Sequence, residues 1–194
     1  MARPKEFDRD EALKAAMNLF WEKGYEATTT DDLRHAMSIG RQSLYDTFGN
    51  KHRLFLEALA LYSTESGATF GSTLEETPSA LAGIKRILMA VPAQTPAARA
   101  RGCMFVNTAS EMSGKDDEID CVVHATTTRG EEQFERAVRR AQAAGEIRED
   151  VDARAAGRFL FSTLQGLRLT AKAGASPATL RDIATMALHA IGCV

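Results

Sequence analysis

The sequence predicts an all-α protein, and three observations carry that expectation. Alanine is abundant, while strand-like alternation of Val, Ile and aromatic residues is scarce. Apolar residues recur at three- and four-residue spacing along most of the chain. Asp, Thr, Asn or Ser stands ahead of several of these stretches, where helix N-caps belong. A chain of 194 residues holds one medium domain or two small ones, and it buries a real core. Its hydrophobic share of 44% and charged share of 26% are those of an ordinary globular protein. No run of about 18 apolar residues is present, so no membrane span is expected. The start MARPKEFDRDE lacks the apolar segment of a signal peptide. The three cysteines, Cys103, Cys121 and Cys193, are far apart, which fits reduced thiols and a cytoplasmic location.

Asp8 and Glu11 form a D-x-x-E capping pattern that starts the first helix. Ala12, Leu13, Ala16, Met17, Leu19 and Phe20 follow at helical spacing, and Gly24 stops it. Trp21 is expected to pack. Thr29 is the expected N-cap of the second helix, with Asp32 three residues on. The free N–H groups at that end suit a phosphate, and a threonine hydroxyl can join the contact; the plainer reading is capping alone, and the two coexist. Leu33, Ala36 and Met37 give this helix its apolar face. Ser38-Ile39-Gly40 is the turn, with Ile39 pointing into the core. The third helix runs from Arg41 to Thr47, with Leu44 and Phe48 inward. Arg41, Gln42, Ser43 and Thr47 are left for a DNA groove, where Arg pairs best with guanine and Gln with adenine. Tyr45 ends in a hydroxyl at phosphate reach. Asn50 then caps a fourth helix that opens Lys51-His52-Arg53, setting a helix N-terminus and two cations beside the backbone of bound DNA. This is the layout of a helix-turn-helix reader, whose second helix enters the major groove.

Charge does not advertise this. The net charge is −2, and residues 1–53 carry nine Lys/Arg against nine Asp/Glu. DNA affinity must therefore come from a few placed groups. The α-amino group, Arg3 and Lys5 make the extreme N-terminus locally basic, either as an arm that reaches the DNA or as a solvated tail.

The pattern G-Y-x-A-T-T…L…A…I…S-L-Y…F-x-N-K…L-F over about residues 8–60 resembles the N-terminal domain of TetR-family transcriptional regulators. The resemblance implies an all-helical homodimeric repressor whose C-terminal domain binds a small molecule. It also places Thr29, Arg41, Gln42, Ser43, Tyr45 and Lys51 at positions that commonly contact DNA. The expected division is a helix-turn-helix DNA-binding domain over 1–52 and a helical ligand-binding and dimerisation domain over 53–194. One departure stands out. Family members often carry Gly then Ser around the turn, whereas here Ser38 comes first and Gly40 last. Ser38 must then adopt a conformation that glycine adopts more cheaply, and Gly40 supplies no hydroxyl to cap the third helix.

Beyond the head, Leu54, Phe55, Ala58, Leu59 and Tyr62 continue the fourth helix, the natural lever between head and body. Thr77-Pro78 is expected to start the next helix, and Pro92 and Pro96 to bracket a loop. Cys103 to Met112 reads as a short apolar helix. A long helix spans 116–145, with Ile119, Val122, Val123, Phe134, Val138 and Ala141 inside and a Glu/Arg-rich outer face. Asp152 caps a helix over 153–173, and Ser176-Pro177 opens a last one. These two carry Phe159, Leu160, Leu164, Leu167, Ile183, Met186, Ala187 and Ile191. The resemblance implies that they build a four-helix dimer interface, although intrachain packing gives the same stripes.

The family's ligand site implies a mixed apolar pocket. Its candidate walls are Phe70, Met89, Met104, Phe105 and Phe161, and its polar points are Asn107, His124, Thr127, Thr128 and Gln165. Cys103 follows Arg99, Arg101 and Gly102 at an expected helix N-terminus, where positive charge and the helix dipole activate a thiol. It reads either as an electrophile sensor or as a small buried hydrophobe. Cys121 and His124 lie three residues apart, half of a metal site at most, and no second ligand pair accompanies them, so no metal and no cofactor are expected. No nucleophile elbow, phosphate loop or H-E-x-x-H motif is present, so an enzyme is not expected. The expected partners are a double-stranded DNA operator, a second copy of the chain and an unidentified inducer. The alternative is an architectural DNA-binding protein with no inducer.

Overall fold

The computed structural model describes residues 7–192. Arg3, Lys5 and Cys193, named above, lie outside that range. Ten α-helices make up the fold among the described residues: α1 Arg9–Lys23, α2 Thr30–Met37, α3 Arg41–Phe48, α4 Lys51–Glu76, α5 Ala80–Ala93, α6 Pro96–Arg101, α7 Met104–Met112, α8 Asp117–Ala143, α9 Ala153–Lys172 and α10 Pro177–Ala190. No helix there is long and apolar enough to cross a membrane.

Most helix starts follow their caps. Asp8, Thr29, Asn50, Ser79, Thr95, Asp116, Asp152 and Ser176 each accept a backbone N–H of the first turn. Two expectations fail in the middle of the chain. Thr77 does not start a helix: its hydroxyl donates to the Thr73 carbonyl at 2.6 Å, so it closes α4. Ser79 caps α5 instead, and the Glu146 carboxylate accepts the Leu81 N–H at 2.9 Å. Pro92 and Pro96 do not bracket a loop. Pro92 is buried in the last turn of α5, and Pro96 occupies the first turn of α6, where a missing N–H costs nothing.

Two hydrophobic cores organise the helices. One joins Leu74 at the end of α4 with α5, α9, α10 and the second half of α8, around Ile84, Leu88, Phe134, Val138, Leu160, Leu164 and Leu180. The other surrounds Phe20, Leu33, Leu44, Phe48, Leu54 and Phe55 of α1–α4, and it also takes Cys103, Met104, Phe105, Met112 and Ile119 from α7 and α8. The first three helices therefore do not close a core by themselves; α4, α7 and the start of α8 complete it. Helices α8 and α9 meet at backbone distance. A Cβ added at Gly157 would lie 2.7 Å from the Glu131 carbonyl oxygen and 2.8 Å from the Glu135 nitrogen. Only a glycine permits that approach.

Candidate functional site

The turn between α2 and α3 sets the geometry of the head. Ser38 ends α2 in the left-handed region (φ 54°, ψ 39°). For a residue with a Cβ this is a strained position. Buried Ile39 anchors the turn, and Gly40 starts α3 without a side-chain cap. Leu44 and Phe48 are buried and fix the rotation of α3 about its axis. The consequence is an outward row: Arg41, Gln42 and Tyr45 are exposed, and Ser43 and Thr47 are half-buried at its edges. Ala36, expected inward, is exposed, because α2 packs through Leu33 and Met37 alone.

The groups on this face are pre-positioned by partners on the same face. The Gln42 amide donates to the Asp46 carboxylate at 2.8 Å, and the Arg41 guanidinium lies 5.9 Å from the centre of the Tyr45 ring. At the start of α2, Thr29 and Asp32 form a reciprocal capping box. Asp32 accepts the Thr29 N–H at 3.0 Å and sits 3.0 Å from the Lys23 ammonium. Its carboxyl is held down to about 2, first by that N–H, then by Lys23 and the Thr29 hydroxyl. Lys51, at the start of α4, has its ammonium 4.3 Å from the centre of the Tyr25 ring. Tyr25 in turn stacks on Phe20 and leans on Phe55. Tyr25 thus acts as the platform for a predicted DNA contact, a role that its place in the G-Y pair of the sequence pattern did not disclose.

The head is tied to the body by polar contacts that no local pattern announced. The Glu111 carboxylate on α7 accepts the N–H groups of Tyr25 (3.0 Å) and Glu26 (2.7 Å). Arg101 donates to the Asn18 side chain at 2.7 Å and its guanidinium lies 3.8 Å from the Trp21 ring centre, while the Trp21 indole N–H donates to the Gly102 carbonyl. His52 Nε2 is 2.8 Å from the Asp116 carboxylate, an ion-pair distance off the direction of a good hydrogen bond. The Asp116 carboxyl lies below its ordinary value, chiefly because it accepts the Ile119 N–H and then because of His52.

A cavity opens between α4, the start of α7, α8 and α9. Five of the predicted ligand residues line it: Phe70, Cys103, Phe105, Phe161 and Gln165. The other six lie elsewhere. Met89 packs against the body core, and Asn107 bridges the Arg101 carbonyl and the Lys172 ammonium. His124 and Thr128 are exposed on the outer side of α8, and half-buried Thr127 turns its hydroxyl back to the Val123 carbonyl. Met104 is buried in the head core, and Cys121 is exposed beside His124. Sequence reasoning missed Tyr62, Ser66, Arg129, Gln133 and Arg168 of the same cavity. The row Tyr62, Ser66, Phe70 repeats every four residues on α4, a signal that became readable only once its partners were known. Cys103 is buried, caps α7 and receives two donors at its sulfur: the Tyr62 hydroxyl at 3.5 Å and the Arg168 guanidinium at 3.4 Å. Burial, followed by Cys103, pushes the Tyr62 hydroxyl well above its ordinary value, so it stays a donor.

Comparison with known proteins agrees with both halves. Residues 12–58 match the family model for bacterial regulatory proteins of the tetR family, and residues 80–187 match the tetracyclin repressor-like C-terminal domain. The chain is 34% identical to the uncharacterized HTH-type transcriptional regulator YezE of Bacillus subtilis, over 98% of this chain and 100% of that one. It is 33% identical to the HTH-type transcriptional repressor ComR of Escherichia coli, over 96% and 90% of the two chains. Among solved structures, a cysteine-substituted TetR family regulator, CifR, complexed with 26-bp double-strand operator DNA superposes with a TM-score of 0.86. It is 33% identical and covers 97% of this chain and 99% of that one. Reduced NemR of E. coli superposes equally well, with a TM-score of 0.86 over 95% of this chain and 97% of that one. At 14% identity it shares the fold alone.

Proposed function

The chain belongs to the TetR family of bacterial transcriptional regulators, and on that footing we propose a repressor that binds a palindromic operator as a homodimer and lets go when a small molecule or electrophile enters its cavity. The observation that carries the DNA half is the outward row on α3, with Arg41, Gln42 and Tyr45 free of the core while Leu44 and Phe48 lock the helix. One eight-residue helix reads few base pairs. Two such helices about 34–36 Å apart read a palindrome from one side of the DNA. Phe159 on α9 and Met186 on α10 support the dimer: they remain 43% and 66% exposed, while Leu160, Leu164, Leu167, Ala187 and Ile191 are buried within the chain.

The release half rests on α4. This helix carries Lys51 at its first position and Tyr62, Ser66 and Phe70 in the cavity wall. Lys51 and Ser66 are about 22 Å apart along its axis. A ligand that favours one placement of α4 shifts the population of head placements. Cys103 offers the electrophile route, since its sulfur faces the cavity with Arg168 and Tyr62 on it, and the CifR complexes are those of cysteine-substituted protein.

Operator binding by fluorescence anisotropy tests the reading. Tyr45→Phe and Lys51→Ala weaken binding about equally on all sequences, and Gln42→Ala also relaxes base preference. Unchanged affinity in all three sinks the DNA assignment. Electrophile-driven release that persists in Cys103→Ser removes the thiol route. An architectural protein without an inducer would ignore every cavity ligand.

A further inference from the structure

The cavity has an uneven chemistry. Its body is apolar, with Phe70, Phe105, Phe161 and Leu164 around it. Its charge is all of one sign: Arg129 and Arg168 line it, and no Asp or Glu does. Among the described residues neither guanidinium, that of exposed Arg129 or that of Arg168, has a carboxylate within ion-pairing distance. Arg168 spends one N–H on the Cys103 sulfur, a weak acceptor, and keeps the others. On the same helix one turn earlier, Gln165 Oε1 is buried and has no hydrogen-bond donor. A buried carbonyl left without a donor is costly, so a ligand that supplies one is favoured. The space is small, about 60 Å³, which suits a compact molecule.

From these features we infer that the cavity takes a compact organic anion, its acid group held by Arg168 with Arg129 at the mouth, its short apolar body against Phe105 and Phe161, and a hydroxyl or N–H donated to Gln165 Oε1. A guanidinium grips a carboxylate with two parallel N–H donors, a geometry that a neutral amide cannot match. This inference rests on the reading of the cavity as the effector site but specifies its chemistry.

Calorimetric titration of the full-length protein with butyrate, 3-hydroxybutyrate and butyramide tests it. Butyrate binds and butyramide binds at least about tenfold more weakly, the loss expected for a charge-assisted hydrogen bond. 3-Hydroxybutyrate binds tighter than butyrate, and Gln165→Leu abolishes that advantage. Arg168→Met loses the preference for acid over amide, and Arg168→Lys restores part of it; circular dichroism confirms that each variant folds. Equal binding of acid and amide, or no binding of either, overturns the inference. Anisotropy on operator DNA separates the two readings. Acids that bind without releasing DNA defeat the effector role and leave the chemistry standing. Release by butyramide but not by butyrate does the reverse.

Discussion

The DNA-reading face and the cavity are built on opposite plans. The face is an outside presented by one short helix, and its outward row lies within Arg41–Thr47, oriented by two buried neighbours. The cavity is an inside made by four helices, and its walls come from positions as distant as Tyr62 and Arg168. What links them is shared packing: the core under the face borrows Cys103, Met104, Phe105, Met112 and Ile119 from the helices that border the cavity. A regulator can couple two sites cheaply when one side of the coupling is also part of the other's foundation.

The harshest way to break this comparison is to empty each core in turn. Phe20 and Phe134 are both fully buried, one in each core. Replacing either by Ala costs ~3–5 kcal/mol. If the cores are one foundation, calorimetry shows a single transition that both variants lower. Two transitions, each moved by only one variant, would mean that face and cavity are independent.

Next in size is the clamp between them. Glu111→Ala removes the acceptor of the Tyr25 and Glu26 N–H groups, which water can partly replace, and costs ~1–1.5 kcal/mol. Because Tyr25 carries Lys51, operator affinity falls with it, and Glu111→Gln recovers part of both. Full operator affinity in Glu111→Ala would remove α7 from the coupling.

A smaller change acts on the face alone. Ser38→Gly relieves the left-handed position of the turn and raises stability by ~1 kcal/mol. Thermal denaturation reads it, and a lower melting temperature would show that the Ser38 side chain contributes more than its strain costs.

The smallest effect is electrostatic. The Asp32 carboxyl titrates near 2 in the folded protein, below its ordinary 3.8. Between those values the unfolded chain binds more protons, so the contribution is complete above about pH 4 and drains as pH falls towards 2. Acid denaturation of Asp32→Asn therefore starts from lower stability and falls less steeply through that window. Parallel acid limbs for the two proteins would contradict the capping box as its source.

Much of the head was legible because its signals are local. Thr29 with Asp32, Asn50 before Lys51, and Ser38-Ile39-Gly40 are spacings of a few residues, and each specifies a cap or a turn directly. The cavity was half legible. Phe70, Cys103, Phe105, Phe161 and Gln165 came from a plausible mixture of residue types, but the same mixture admitted Met89, Asn107, His124 and Thr128. Apolar periodicity says that a side chain is inside, not whether packing or empty space meets it. The two misplaced helix boundaries, a start expected at Thr77 and a loop edge expected at Pro92, have the same origin. A Thr-Pro pair and a lone Pro suit either end of a helix, and the Thr73 carbonyl and the buried setting of Pro92 decided which.

By itself the sequence determined an all-helical chain, a helix-turn-helix with an outward row on its second helix, and the strained turn at Ser38, because caps, period and turn conformation depend on near neighbours. Only the tertiary structure decided that Glu111 and Arg101 fasten the head, that Tyr25 carries Lys51, and that Arg129, Arg168 and an unpartnered Gln165 share one cavity. Those facts depend on which helices meet, and meeting is settled by close packing over the whole chain, down to a glycine at 157 that lets two backbones touch.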